Sequence, residues 1–484
     1  LSFQQGAAVG NADPNSLITL ENGSRMAFNN IGNTVSRPIR VNGGATLFNS
    51  STSSSFSSPI TLNGNLTFSG STASQTLTVL GNITETGGPR SVTMNNTNSP
   101  VAPVVLAGNN SYSGGTTLTA GLLQMNSNTA LGTGNLTING TAAVPNTLEL
   151  NGHSLTVGAF GGSDAINNFG TITSSVAGPV TFTFGNATAP AAAFAGVIQN
   201  GTGTVSIVKN GSDSATLSGV NAYTGTTTIN GGTLALGVAE GISSTTGVTL
   251  GGGKLATGGF NQTLSSAALN VTAPSKIDLG FQNTGDTLHF AASNTWSGSA
   301  GAATGTLLRI NNWTTSDHIT FPAGGITLAQ AQLTHFTGIR GVGKLDATGT
   351  EIVPANDPTN TANLLFPGDT TGDQLYTSAD LNAELIALTN PAAFIAGYPG
   401  GLASYEFPDV ADVNRDGTVD NLDIQAEIFA INNNGPAPPS GPAASLGGGS
   451  NLGTVPEPAS FVLLGLGGLL GLAKLARSKR RTSK

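Results

Sequence analysis

Short runs in which apolar and polar residues alternate recur through residues 1–353: ITLNGNLTFSG, TLTVLGNIT, NLTING, NTLEL, TFTFG, TVSIVK and GVTLGGG. A period of two marks a strand with one buried face, and the Asn-Gly and Gly-Gly pairs between runs mark tight turns. The pattern therefore predicts many short strands and little helix over this region. Beyond it the period changes. Leu381, Leu385 and Leu388, and again Ile424, Ile428 and Ile431, fall at i, i+4 and i+7, which predicts two amphipathic helices packed face to face. A last apolar run, Ala459 to Ala476, measures ~27 Å as a helix, enough to cross a bilayer core.

One self-match stands out in the β region. GNNSYSGGTTLTAGLLQM (Gly108 to Met125) aligns without gaps to GVNAYTGTTTINGGTLAL (Gly219 to Leu236), so every matched pair has the same offset. Asn110 meets Asn221, Tyr112 meets Tyr223, Gly114 meets Gly225, Gly121 meets Gly232 and Leu123 meets Leu234. Units this poor in apolar residues cannot close a core alone. Stacked, they bury one continuous apolar strip and exchange backbone hydrogen bonds from coil to coil. The expected fold is mainly β: a right-handed parallel β-helix (β-solenoid) over 1–353, with the clear copies at 104–140 and 215–251. Coils of ~22 residues stacked ~4.8 Å apart predict ~16 coils and a rod of ~75 Å. A string of small β-sandwiches is the alternative.

Composition narrows the chemistry. Gly accounts for 68 of 484 residues, charged residues for 9%, and Cys is absent, which excludes disulfides, Cys-ligated zinc and thiol catalysis. Six of the 17 basic residues lie between Lys474 and Lys484. The rest of the chain then carries 11 bases against 25 acids, a charge of −14 that excludes nucleic-acid binding through general electrostatics. The four His (153, 289, 318 and 335) share no ligand spacing and read as surface or turn residues. The solenoid acids are scattered. The chain opens on LSFQQGAAVG, without Met, so either a signal peptide has been removed or the sequence is a fragment.

The acids concentrate in two loops. DVNRDGTVDNLD places Asp412, Asn414, Asp416, Thr418 (by its carbonyl), Asp420 and Asp423 at positions 1, 3, 5, 7, 9 and 12, with Gly417 at 6. That is the spacing with which an EF-hand loop surrounds Ca2+ with oxygens. Val419 at position 8 points inward toward a partner loop. DTTGDQLYTSAD offers Asp369, Thr371, Asp373, Leu375 (by its carbonyl), Thr377 and Asp380 at the same positions. Thr371 and Gln374 depart from the pattern, so this is the weaker Ca2+ site. Pro367-Gly368 and Pro408 precede the loops, and entry helices are not expected.

Three resemblances follow from these motifs. The NxYxGxTT…GGTL core resembles the autotransporter-associated β-strand repeat of secreted bacterial proteins. Gly305 to Ile339 is similar to the segment that often closes such regions. This implies an extracellular β-helix and no particular activity. Two loop-plus-exit-helix units over 368–432 resemble dockerin type I, which implies a small α-helical module and a cohesin-like or other surface protein as partner. That family reads its partner through loop positions 10 and 11. Here these are Ser378-Ala379 and Asn421-Leu422, so the near-symmetric recognition surface is not kept. Finally, Val455, Pro456, Glu457 and Pro458, the Gly-rich span Ala459 to Ala476, and the basic end Arg477, Lys479, Arg480 and Arg481 resemble the PEP-CTERM sorting signal. This implies an exosortase-type sorting enzyme, with the C-terminal hydrophobic helix as membrane anchor before processing and the C-terminus cytoplasmic.

The domain plan is thus a β-solenoid over 1–353, a linker over 354–367, a dockerin-like calcium module over 368–432, a Pro/Gly/Ser linker over 433–454 and the sorting tail over 455–484. No GxSxG, HExxH or P-loop is present. The expected protein is a non-catalytic cell-surface or extracellular-matrix stalk, adhesin-like, with exopolysaccharide among its candidate ligands. The competing reading is a secreted polysaccharide-active β-helix enzyme, hydrolase or lyase, that carries a dockerin.

Overall fold

The alternating runs become rungs of a parallel stack. The computed structural model describes residues 2–3, 16–28, 34–49, 53–70, 75–96, 103–140, 146–162, 170–185, 192–243, 247–280, 285–297, 307–359, 364–370, 376, 378–399, 402–413 and 419–433. Near the N-terminus each coil contributes three strands. Ile18–Leu20, Arg25–Phe28 and Thr34–Val35 are followed by Ile39–Val41, Ala45–Asn49 and Ser54–Phe56. Strands of one face pair in parallel and in register, so like stacks on like. Ile18, Ile39, Ile60 and Ile83 form one ladder. Met26, Leu47, Phe68, Met94, Leu118 and Ile138 form another. Every side chain in these two ladders is buried. Inward residues alternate with partly exposed Thr, Ser and Arg, as the period of two demands.

Further along, coils carry two strands each, such as Thr227–Ile229 with Thr233–Leu236 and Val248–Gly251 with Lys254–Ala256. The stack makes about 12 turns, fewer than the ~16 that a uniform coil of ~22 residues predicts. The coils are not uniform. One coil separates Leu118 from its partner Ile138, whereas a much longer stretch of chain separates Leu288 from its partner Ile319. The rungs still pair in parallel, with local register shifts between Leu264 and Ala268 and between Leu269 and Val271.

The self-match has a geometric basis. Tyr112 and Tyr223 are both fully buried, and each hydroxyl lies 2.7 Å from the hydroxyl of a Thr one short step on, Thr116 and Thr227. Asn110 Oδ1 accepts the Ile83 N–H of the preceding coil (2.7 Å), and its amide donates to the Ala130 carbonyl (2.6 Å). Asn221 does the same between Ile198 N–H (2.8 Å) and the Gly241 carbonyl (2.7 Å). Each Asn staples neighbouring coils where the chain turns and the backbone ladder lapses. Gly121 and Gly232 adopt φ of +93° and +57° at the corner between two faces, a conformation that favours Gly.

The stack ends by breaking its own rule. After the rungs His318–Thr320 and Thr334–Phe336, Gly343–Leu345 pairs antiparallel with Ile352–Pro354, which closes off the growing edge. Helix α1 (Leu328–Ala331) lies in this cap, with a capping box between Thr327 and Gln330. Beyond the cap come α2 (Ser378–Thr389), α3 (Pro391–Gly397), α4 (Phe407–Ala411) and α5 (Asn421–Asn433). They share a small core of Leu365, Ala387, Phe394, Tyr398, Leu402, Val410 and Ala411. The described residues of the solenoid and of the four helices fall in one compact unit, so the helices belong to the same body as the solenoid.

Two expectations about the helices are corrected. A short entry helix, α4, does precede the second loop; Pro408 sits in its first turn, where a missing N–H costs nothing. The Leu and Ile faces are not fully turned inward either. Leu385 and Ile428 are 45% and 46% exposed, and the buried face of α2 is Asp380, Glu384 and Ala387.

Replacing Asn110 or Asn221 by Leu leaves a buried N–H and a buried carbonyl unpaired in adjacent coils, at a cost of about 1–3 kcal/mol. Hydrogen exchange at Ile83 and Ile198 is expected to speed up selectively in the respective variants, with a lower denaturant midpoint. Tyr112→Phe, which removes one hydroxyl partner, is expected to shift the midpoint less.

Candidate calcium module and its junction with the solenoid

The helical unit is held to the solenoid cap by a buried polar junction. Asp409, on α4, is fully enclosed. It pairs with Arg309 of the rung Leu308–Asn311, accepts the Gly338 N–H (2.8 Å) and lies 2.6 Å from Nε2 of His335. Arg309 also donates to the Tyr405 carbonyl. Glu406 accepts the Gly341 N–H at 2.7 Å, and Arg340 stacks over the Tyr398 ring at 5.6 Å. Within 354–367 the chain is tied back as Leu365 N–H reaches the Gly338 carbonyl (2.8 Å). Burial by itself raises the Asp409 pKa; Arg309, His335 and the Gly338 N–H outweigh it and hold it below the ordinary carboxylate value. His335 is thus a buried junction residue, contrary to the surface or turn reading of all four His. Its Nδ1 lies 2.8 Å from the Gly341 carbonyl, and nothing in its sequence spacing marks it.

Four carboxylates of the two loops lie on the buried, inner side of this unit. Asp369, Asp380, Asp412 and Asp423 are all buried, while Asp420 is exposed. Asp423 Oδ2 accepts the Asp420 N–H (2.8 Å), and Asp420 Oδ1 accepts the Leu422 N–H (2.8 Å). Thr370 Oγ1 donates to the Asp380 carbonyl (2.6 Å), and the Tyr398 hydroxyl donates to the Asp369 carbonyl (3.1 Å). Thr371, Asp373, Leu375 and Thr377 of the first loop, and Asn414, Asp416 and Thr418 of the second, lie outside the described residues. So do Val455 to Pro458, the span Ala459 to Ala476 and Arg477 to Arg481. Among the described residues no group of three or more His, Asp or Glu is gathered closely enough to hold a metal ion by itself, and no helix is long and apolar enough to cross a membrane.

Two acids that the loop spacing does not include share this inner face. Glu384 and Glu427 are both fully buried. Burial, then Asp423, Glu427 and Asp412, push Glu384 up to about 9. Burial, then Asp380 and Asp369, push Glu427 up to about 8. A signal for them exists. DLNAELIAL (Asp380 to Leu388) aligns without gaps to DIQAEIFAI (Asp423 to Ile431), at the same offset that relates Asp369 to Asp412. The signal lies in the helices, outside the ligand spacing of either loop.

Among the described residues, solenoid acids brace turns. Glu149 accepts the N–H groups of Asn151 and Ser175, both at 2.7 Å, and Glu85 accepts the Arg90 N–H and the Ser113 hydroxyl, both at 2.6 Å. Asp286 and Asp317 are neighbours, but each is 2% exposed, and Asp317 accepts the Asp286 and Thr314 N–H groups.

Comparison with known families gives two matches. The Passenger-associated-transport-repeat model matches residues 104–125 and 207–236, and the PEP-CTERM protein-sorting motif matches residues 454–481. No curated protein and no solved structure matches the chain. The first match covers both Asn-staple coils. Together the two mark an exported protein of the cell envelope with a β-helical stalk, directed to an exosortase-type sorting system.

Asp409→Asn leaves Arg309 facing a neutral partner in a buried site, at a cost of about 3 kcal/mol or more. Hydrogen exchange in α2 and α5 is expected to accelerate while the rungs before Thr287 keep their protection. Because the folded-state pKa of Asp409 is depressed, its stabilisation is complete above the ordinary value of 3.8 and is lost as pH falls through the lower folded value. The wild-type helices are therefore expected to loosen in that acid window, and the variant's are not expected to show this transition.

Proposed function

We propose that this protein is a non-catalytic surface stalk whose C-terminal helical unit is a calcium-stapled, dockerin-like interaction module, and which the PEP-CTERM tail delivers to the envelope. The observation that carries the calcium reading is the inward carboxylate face. Asp369, Asp380, Asp412 and Asp423 are buried in a unit whose main apolar core is small. Carboxylates confined together repel one another and lose hydration, so their burial favours a counter-cation. An all-oxygen donor set suits a hard divalent ion, and the two loops space their oxygens as calcium requires. Asp412, Asn414, Asp416, Thr418, Asp420 and Asp423 would hold the stronger ion. Asp369, Thr371, Asp373, Leu375, Thr377 and Asp380 would hold the weaker one. Bound calcium links each loop to the first turn of its exit helix, so binding free energy becomes folding free energy.

Non-catalytic function is supported by the use of described solenoid acids such as Glu85 and Glu149 as turn braces. The exposed apolar side chains Leu385 and Ile386 of α2 and Ile428 of α5 would give the module an apolar face for a partner protein.

Calcium at a thousandfold excess over Kd stabilises the folded unit by about 4 kcal/mol. The full chain in detergent is expected to show a higher unfolding midpoint for α2 and α5 in calcium than in chelator. Asp412→Ala is expected to remove most of that gain and Asp369→Ala a smaller part. Equal midpoints in calcium and chelator would defeat the calcium reading. The sorting reading is tested separately. Replacing Pro456, Glu457 and Pro458 with Ala leaves the apolar span intact, so the chain is expected to accumulate unprocessed in the membrane fraction; normal processing of that variant rules the reading out.

A further inference from the structure

Glu384 and Glu427 are not explained by the loops alone. Both are fully buried, and among the described residues none of their carboxylate oxygens meets a hydrogen-bond donor. Native structures rarely leave such groups unpaired, and each one calls for an account. The charged groups acting on them among the described residues are acids: Asp423, Glu427 and Asp412 on Glu384, and Asp380 and Asp369 on Glu427. A buried carboxylate that finds no donor and faces other carboxylates is placed to meet a cation.

The arrangement is crosswise. Glu384 lies on α2, the exit helix of the first loop, yet the aspartates acting on it, Asp412 and Asp423, are the first and twelfth positions of the second loop. Glu427 lies on α5, the exit helix of the second loop, and the aspartates acting on it are the first and twelfth positions of the first loop. A Cβ added to Gly368, the residue before Asp369, would lie 2.6 Å from Glu427 Oε2, which places this carboxylate at the mouth of the first loop. The self-match of the two exit helices makes the exchange reciprocal: equivalent residues of the two halves perform equivalent tasks for each other.

We propose that Glu384 supplies a further carboxylate to the calcium site of the second loop and Glu427 one to that of the first, so that each exit helix closes the site of the opposite half. The proposal rests on the calcium reading above and adds two ligating or water-holding groups to it. It also gives the two sites a shared structural basis: a loop that loses its ion leaves the opposite helix's glutamate without a counter-charge.

The test uses the full chain in detergent, with calcium alone as probe. In an Asp369→Ala background, where the second site remains, calorimetric titration is expected to show Glu384→Gln weakening calcium by about tenfold or more, the range typical of a carboxylate that supports a metal site. Glu427→Gln is expected to weaken it less. In an Asp412→Ala background the order is expected to reverse. Glutamine keeps the shape and cannot ionise, so in chelator both variants are expected to match the thermal midpoint of their parent. Affinity within twofold of the parent for Glu384→Gln overturns the proposal, as does the same order of effects in both backgrounds. A lower midpoint in chelator overturns it too, because it assigns the glutamates a structural role without metal. If the unsubstituted chain takes up no calcium, the calcium reading itself fails, and this proposal with it.

Discussion

Register between coils is the constraint on which the rest of the molecule depends. Parallel strands paired without slippage put Ile18 over Ile39 over Ile60 over Ile83, and the same order repeats on the other faces. A slip of one residue would turn every inward side chain to solvent, so the apolar ladder and the backbone ladder enforce each other. Corners are where the backbone ladder lapses, and there side chains take over. Asn110 and Asn221 reach back to Ile83 and Ile198; Gln262 reaches back to Ile242 (2.9 Å), and Asp317 to Asp286 (2.8 Å). The residue type changes along the stack while the task, accepting the N–H of the previous coil, stays constant.

A stack built this way has an exposed last rung, and its closure sets the position of the helical unit. The antiparallel pair Gly343–Leu345 and Ile352–Pro354 ends parallel growth. Next to it Arg309, His335 and the Gly338 N–H converge on Asp409. A carboxylate with three partners in a closed site tolerates burial because both oxygens that lose water gain donors. Glu384 and Glu427, a short distance along the same unit, show the opposite condition: equal burial and no donor among the described residues. The contrast between these acids separates a carboxylate used as a joint from carboxylates arranged for a cation.

Much of this was legible from the chain alone. The period of two exposed the rungs, and the self-match placed Tyr112 and Tyr223 at equivalent corners, because buried stacking demands like residues at like positions. The loop acids were legible from their spacing. The inward faces of α2 and α5 were not. A run such as DLNAELIAL carries Leu on one helical stripe and Asp, Glu and Ala on another, and the assumption that burial follows hydrophobicity selects the wrong one. Burial here follows the opposite stripe, with Leu385 and Ile428 left largely exposed. His335 and Asp409 were equally hidden, since residues so far apart in the chain meet only through the closure of the solenoid.

The variable coil follows from the same physics. A rung needs inward apolar residues at alternate positions, a small residue where the chain passes close beneath the next coil, and an acceptor at the corner. Gly114 and Gly225 meet the second need, since a Cβ at either would fall against the backbone of Arg90 or Val205. Everything between these points is free to vary in kind and in length. That is why the short coil from Leu118 to Ile138 and the long one from Leu288 to Ile319 share one stack. Identity therefore concentrates in the two coils that carry the full Asn, Tyr and Gly set, the segments that the repeat model matches. The remaining coils keep the geometry with other residues. In a solenoid, architecture is thus retained by a few local rules per coil, and a recognisable repeat is the part of the chain where all of those rules are met by the same amino acids.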